Sequence, residues 1–317
     1  MTVAVAPKLM RDAFVEGICE RARHDRSIVF VSADFGAKAL DRLRTDFPSQ
    51  FVHSGISEQH MVDFGAGLAL SGHKVILYAM APFITLRCIE QVKCAIASMN
   101  LPVTIVAVGV GLGYDHATLT HFTPEDLACM RSMNHIEVLS PADAEGATVV
   151  ADLVIDQPRF RYVRLERQAM APLYQGRFIG ARDQGLIELV AGSDVALLAC
   201  GYMSHKAVNA AAQLRSQGIE AGVVDIFRVK TINPDVLAAV LGRYRTVLTI
   251  EEQLLEGGFS SAIAEVMIDA GIMKPFKRLG IHNGFEVSNG KRDHLHALYG
   301  IDVPDIVRSA EVLVAGP

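Results

Sequence analysis

His53 to Gly72 read HSGISEQHMVDFGAGLALSG, and VILYAM follows at residues 75–80. Gly55 to Ser57 form a turn, Ser57 stands where a helix cap stands, and Glu58 falls in the first helical turn. The helix predicted over Ser57–Leu70 stops at Gly72, and the run after it is short and apolar, the pattern of a buried strand. The same alternation extends outward on both sides. Upstream, Pro7–His24 carries a helical apolar face, and SIVFVSAD (27–34) is a strand that ends on an acid. Downstream come a helix over about Thr85–Met99, the strand VTIVAVG (103–109), and the glycine-rich loop GVGLGYDHATLTH (109–121). A helix opening at Pro124, the strand IEVLS, the helix ADAEGATVVADLVI and the strand RYVRL complete this half. Strands alternating with helices of about a dozen residues predict an α/β fold, its sheet parallel and covered on both faces.

The stretch ERQAMAPLYQGRFIGARDQG (166–185) has glycines, a proline and charges without periodicity, so it reads as a linker. A second α/β unit follows, from the strand VALLACG (195–201) to the helix PDIVRSAEVLVAG (304–316). The predicted organisation is a first domain over residues 1–170, a linker over 171–188 and a second domain over 189–317. The 317 residues suit two mostly parallel sheet domains of ordinary size.

Net charge is −5 and the isoelectric point is near 6.1, which argues against a nucleic-acid partner. No apolar run approaches the ~20 residues of a membrane span, and MTVAVAPKLMRDAFVEG lacks the apolar core of a signal peptide. The five cysteines form no CxxC and no metal-like cluster, which fits buried thiols in a reducing cytoplasm.

Glu58 is the leading chemical candidate. Gly65, Ala66, Gly67 and Ala69 give its helix a smooth face for close packing. An acid lodged among small and apolar residues loses solvation, which favours its protonated form. The alternative is an ordinary first-turn acid facing the helix dipole.

The segment GISEQHMVDFGAGLALSG resembles the region around the cofactor-activating glutamate of the transketolase superfamily. That group includes transketolases, deoxyxylulose-phosphate synthases and the β subunits of 2-oxoacid dehydrogenases. Further pieces match in order: SADF, THFTPEDLACMRSMNHIEVLSPAD, YVRLERQAMAP, TIEEQLLEGGFSSAIAE and RLGIHNGFEVSNGKRDHLHALYGID. The resemblance implies a thiamine pyrimidine-binding domain followed by a transketolase C-terminal domain. The Gly-Asp-Gly start of the family's diphosphate-binding domain is missing. The chain therefore resembles the β subunit of a split transketolase. A separate N-terminal α subunit is then expected to bind the diphosphate and to hold Mg²⁺ or Ca²⁺, in an α2β2 assembly. No metal site is assigned to this chain.

By the same resemblance, Glu58 holds a proton against N1′ of thiamine diphosphate, and His121 lies beside the reacting carbon as a catalytic group. The aromatic lining the pyrimidine pocket is Phe83 first and Tyr78 second. Asp34 sits near the cofactor, with a helix cap as its alternative. Asp115 reads a substrate hydroxyl, with His116 as its competitor. Arg167 contacts a sugar phosphate, and Arg11 is a second basic candidate. Glu251 and Glu252 are read as structural or interfacial, and GGFSS as a close helix entry. The family often carries a histidine where this chain reads IVAVGVGLG, so the acceptor site is expected to differ. The implied activity is transfer of a two-carbon ketol unit from a ketose, expected to be phosphorylated, to an aldose. The alternatives are a 2-oxoacid dehydrogenase β subunit, a deoxyxylulose-phosphate synthase-like half, and a non-catalytic regulatory subunit.

Overall fold

The computed structural model describes residues 8–33, 36–282, 284 and 290–316. In the first half, the helices are α1 (Met10–Ala22), α2 (Asp41–Asp46), α3 (Glu58–Leu70), α4 (Ala81–Ile84), α5 (Ile89–Gln91), α6 (Asp126–Arg131) and α7 (Ala144–Asp156). Its strands are β1 (Ile28–Ser32), β2 (Phe51–His53), β3 (Lys74–Met80), β4 (Val103–Val108), β5 (Glu137–Leu139) and β6 (Arg161–Leu165). The second half holds α8 (Phe178–Ala181), β7 (Ile187–Val190), β8 (Val195–Ala199), α9 (Tyr202–Ser216), β9 (Ala221–Asp225), β10 (Arg228–Lys230) and α10 (Pro234–Leu241). It ends with β11 (Thr246–Leu254), α11 (Phe259–Asp269), β12 (Phe276–Ile281), α12 (Arg292–Leu298) and α13 (Val303–Ala315).

Two sheets form, in the orders β10-β5-β6-β4-β3-β1-β2 and β12-β11-β8-β9-β7. All pairings are parallel except β10 with β5 and β7 with β9, so the mostly parallel α/β reading holds. Strands β1, β4 and β6 are buried along their whole length, as helix-covered parallel strands must be. Helices α1 and α7 pack together on one face, with Met10, Phe14 and Ile18 against Ile76, Tyr78 and Val106. On the other face, Met61 and Val62 of α3 join Leu77, Ile105 and Val92.

One segment departs from the sequence reading. The helix expected over Thr85–Met99 is broken into a tight turn at Leu86–Cys88, α5, and a π-turn at Val92–Ala97, and α4 precedes it. Thr85 takes φ −101°, ψ −85°, outside the helical region, and its Oγ1 donates to the Ala81 carbonyl at 2.6 Å. Pro82 starts α4 directly from the end of β3, so the register is fixed before the apolar pattern begins.

The segment between the two sheets is tied down. The Tyr174 hydroxyl donates to Asp225 at 2.8 Å and accepts from the Ala142 N–H at 2.7 Å. Asp143 caps α7 by accepting from Gly146 and also accepts from the N–H groups of Leu173 and Tyr174. Strand β10, from the second half, completes the first sheet, and its Arg228 reaches Glu137 on β5 at 3.1 Å.

A buried charged link between the sheets is Arg292, at the start of α12. Its guanidinium donates to Glu166 at 2.7 Å and Gln168 at 2.9 Å beyond β6, and its Nε to Glu252 on β11 at 2.9 Å. His296 adds a 2.9 Å contact to Glu252, and the Arg292 guanidinium lies 3.8 Å from the Tyr202 ring centre. Burial opposes ionisation of Glu252, but Arg292 and His296 outweigh it and hold the carboxyl below its usual range. The reading of Glu251 and Glu252 as structural fits these contacts. Glu251 accepts from the N–H groups of Phe259 (2.6 Å) and Ser260 (2.8 Å) at the start of α11.

These buried charges can be probed by substitution. Arg292→Met leaves Glu166 and Glu252 buried without their cation, and the loss of one partner of such a network costs about 3–5 kcal/mol. Thermal denaturation should show a fall of several degrees, and an unchanged midpoint would refute the link. Asp225 is pushed up to about 7 by burial, against the hydrogen bonds of Ser204 and Tyr174. A carboxyl raised in the folded state contributes stability in full below its unfolded value near 4, and loses it as pH rises through about 7. Asp225→Asn does not titrate, so its stability relative to the parent should improve between about pH 4 and 8, by at most roughly 4 kcal/mol. A pH-independent difference would contradict this.

Candidate active site

The carboxyl ends of the parallel strands of the first sheet open onto one cleft, the edge where open α/β sheets hold ligands. Glu58 comes from the segment after β2, Phe83 and Arg87 from after β3, Tyr114 to His121 from after β4, and Arg167 from after β6. An antiparallel bridge between Leu9 and Ala169 brings the start of α1, with Arg11, beside the end of β6.

Glu58 is the first residue of α3 and only 4% exposed. Ser57 occupies the cap position, but its Oγ donates backward to the Ser54 carbonyl at 2.7 Å and does not cap α3. The surroundings of Glu58 are also less apolar than the sequence suggested. Arg87 Nη1 donates to Glu58 Oε2 at 2.7 Å. Arg87 stands in a turn where a continuous helix was expected, and that break aims it back at α3.

From this ion pair a chain of ring contacts crosses the cleft. The Arg87 guanidinium lies 4.2 Å from the Phe83 ring centre. His121 meets Phe83 edge-on at 5.2 Å and Tyr114 at 5.8 Å. Arg167 then stands over Tyr114 at 5.2 Å. Gly109 has φ +73°, and a Cβ there would fall 2.1 Å from the Tyr114 ring, so only glycine lets the loop fold onto this tyrosine. His121 Nδ1 lies 2.9 Å from Thr120 Oγ1, which leaves Nε2 for other partners. Burial first, and His116 second, lower the His121 pKa below its ordinary value, so the ring is neutral near pH 7 and able to accept a proton.

The far end of the cleft encloses about 570 Å³ and is lined by Arg11, Lys38, Tyr114, His116 and Arg167, with Gly36, Ala37 and Met80. Burial pushes the Tyr114 hydroxyl up to about 12 against the pull of Arg167, so it remains a neutral donor.

Glu58, Phe83, His121, His116, Arg11 and Arg167 are thus brought to one strand edge. Tyr78 is not among them: its ring is fully buried beside Phe30, 5.5 Å between centroids, with no face open to a ligand. Asp115 does not line the cleft directly: its Oδ2 accepts from the Arg292 N–H at 3.1 Å at the start of α12, and its Oδ1 lies 3.2 Å from Nδ1 of His116, which does line it. Asp34 lies outside the described residues. Arg87, Tyr114 and Lys38 were missed by sequence reasoning. Arg87 was hidden inside an apolar pattern read as helix, whereas Tyr114 and Lys38 follow strand ends and were findable by that placement alone. Among the described residues no group of His, Cys, Asp and Glu is arranged to hold a metal.

Fold and cleft together define a thiamine-type pyrimidine-binding unit joined to a second α/β domain. The family description "Transketolase, pyrimidine binding domain" matches residues 7–172, and "Transketolase, C-terminal domain" matches residues 185–306. The chain belongs to the transketolase family, whose members are transferases dependent on thiamine diphosphate. It is 30% identical over 304 residues to one of the subunits of the apulose-4-phosphate transketolase of Phocaeicola vulgatus, covering 95% of this chain and 96% of that protein. It is 31% identical to 1-deoxy-D-xylulose-5-phosphate synthase of Aquifex aeolicus, but spans only 49% of that longer chain. A solved split-gene transketolase, described as an inactive beta4 tetramer, superposes with a TM-score of 0.86 at 28% identity, over 97% of this chain and 98% of that one.

The placement of Asp115 carries a prediction. Asp115→Ala removes an acceptor at a helix start, which costs about 0.5–2 kcal/mol. A lowered melting temperature is expected, and a variant as stable as the parent would return Asp115 to the list of cleft residues.

Proposed function

We propose that the chain is the cofactor-activating β subunit of a two-subunit transketolase, which moves a two-carbon ketol unit from a ketose to an aldose. The observation that carries this is the line of contacts from buried Glu58 through Arg87 and Phe83 to His121 along the strand carboxyl edge. The near-complete overlap with a subunit of another transketolase supports the same reading. The proposed partner is an α subunit that contributes the diphosphate site and its Mg²⁺ or Ca²⁺, in a cytoplasmic α2β2 enzyme. Residues 1–170 form the pyrimidine-binding domain and 189–317 the C-terminal domain, joined through 171–188.

The residues fit the cofactor. Phe83 is half-buried and offers a ring to an aminopyrimidine, and Glu58 offers a carboxyl shielded from water at a helix start. When bound, thiamine diphosphate supplies the electron sink for carbon–carbon cleavage. Glu58 holds a proton at the pyrimidine N1′ through the oxygen that Arg87 does not contact, with Arg87 on Oε2. His121, kept neutral, takes or returns a proton at a substrate hydroxyl. Arg167 and Arg11 bind the anionic end of the sugar, with His116 beside them. The similarity to deoxyxylulose-phosphate synthase favours a second reading, in which the donor is a 2-oxoacid that loses CO₂.

The test is reconstitution with the α subunit, thiamine diphosphate and Mg²⁺. A ketose donor with an aldose acceptor should support turnover without CO₂ release, whereas CO₂ from a 2-oxoacid would select the second reading. The isolated chain should be inactive, and full activity from it would refute the split enzyme. Glu58→Gln keeps shape but cannot exchange a proton with N1′. Cofactor binding should be nearly unchanged, while exchange of the bound cofactor's C2 proton with deuterium should slow by about 10²–10⁴-fold. A rate within a few-fold of the parent would reduce Glu58 to a partner of the helix dipole.

A further inference from the structure

His121 can take a proton only on a ring nitrogen that carries a lone pair, and the loop before it decides which nitrogen that is. The edge contacts with Phe83 and Tyr114 hold the ring from two sides. Its Nδ1 meets Thr120 Oγ1 at 2.9 Å, and the same hydroxyl lies 3.4 Å from the Ala117 carbonyl. A hydroxyl has one proton to donate and two lone pairs. A carbonyl only accepts, so the Thr120 proton goes to Ala117, and Oγ1 offers His121 a lone pair. Nδ1 therefore carries the ring proton, and Nε2 keeps the lone pair.

The turn that brings these groups together is strained. Thr118 has φ +63°, a left-handed conformation that a β-branched residue rarely adopts. Its carbonyl accepts from the N–H groups of His121 at 2.9 Å and Phe122 at 3.2 Å, while the Ala117 N–H donates to the Tyr114 carbonyl at 2.8 Å. The backbone on both sides of Thr120 is thereby pinned. Strain of this kind persists only where the surroundings impose it, and it gathers at functional sites.

We infer that Thr120 is a positioning residue that holds His121 as the tautomer protonated on Nδ1, with Nε2 as the nitrogen that exchanges a proton with the substrate. This rests on the proposed transketolase reading and adds to it a residue that acts through His121. The proton that leaves the substrate hydroxyl forms the Nε2–H bond and goes back in the return step. While Nε2 holds it the ring is a cation, and the Nδ1–H contact to Oγ1 becomes charge-assisted and stronger. Thr120 thus favours the protonated ring at the moment it is made, without touching the substrate.

Thr120 is exposed, so Thr120→Val, which keeps its shape and removes the hydroxyl, should fold as the parent does. The chain is labelled with ¹⁵N at histidine, the His121 signals are assigned by their loss in His121→Gln, and the two ring nitrogens are read by NMR at alkaline pH, where the ring is neutral. The parent and Thr120→Ser should show the proton on Nδ1, and Thr120→Val should shift it toward Nε2. In the reconstituted enzyme, kcat should fall roughly ten- to hundred-fold in Thr120→Val, as for a lost charge-assisted contact, with KM little changed and Thr120→Ser near the parent. A parent ring protonated on Nε2, or a tautomer that Thr120→Val leaves unchanged, overturns the assignment. A shifted tautomer with unchanged kcat overturns the positioning role. If the tautomer follows Thr120 but the parent turns over no ketose, the pairing of Thr120 with His121 stands and the transketolase reading fails.

Discussion

A guanidinium enclosed by protein has to be answered by carboxylates that are enclosed with it, and Arg292 imposes that constraint on both halves of the chain. Its partners come from just beyond β6 and from β11, and His296 of α12 meets the same Glu252. None of these groups tolerates burial alone, so the two sheets hold one relative position or the network fails. The glycine-rich loop inherits its place from the same cluster. A Cβ at Gly111 would lie 2.3 Å from Glu252, and Asp115 accepts from the Arg292 backbone. The histidine and tyrosine of the cleft sit on this loop, so the site is built outward from a charge cluster that never touches it.

Much of this was legible in the sequence. Alternation of strand and helix pointed to the parallel sheets, and Glu58 at a helix start after a turn was readable from residues 55–58. What could not be read was direction. Tyr78 and Phe83 look alike as aromatics near a strand end, but Tyr78 lies within β3 and points into the α1–α7 core, whereas Phe83 lies one helical turn beyond the strand. Asp115 and His116 are adjacent, and the approach of α12, from far along the chain, gives Asp115 a partner on the side away from His116. Arg87 was invisible because Thr85 breaks a pattern that is apolar enough to continue as a helix.

The cleft also separates its tasks along one edge. At the β2–β3 end a shielded carboxyl and a ring stand near each other, suited to proton sharing with a flat heterocycle. At the β6 end the walls are cationic and suited to an oxyanion. His121 stands between, in contact with both Phe83 and Tyr114. A substrate held by its charged end at one side is thereby delivered to the chemistry at the other, and the separation of the two ends sets the length of molecule that fits.

Strand β10 has a consequence for how the chain is made. It comes from beyond residue 227 yet closes the β5 edge of the first sheet, placing Arg228 on buried Glu137. A nascent chain that has emerged only as far as β6 can pair six strands but leaves β5 as an open edge with a carboxylate not yet joined by Arg228. Open edges of this kind recruit strands from other molecules. The first domain therefore matures only after part of the second has been synthesised, and a cut in the connecting segment divides the sequence without dividing the protein into two sound pieces.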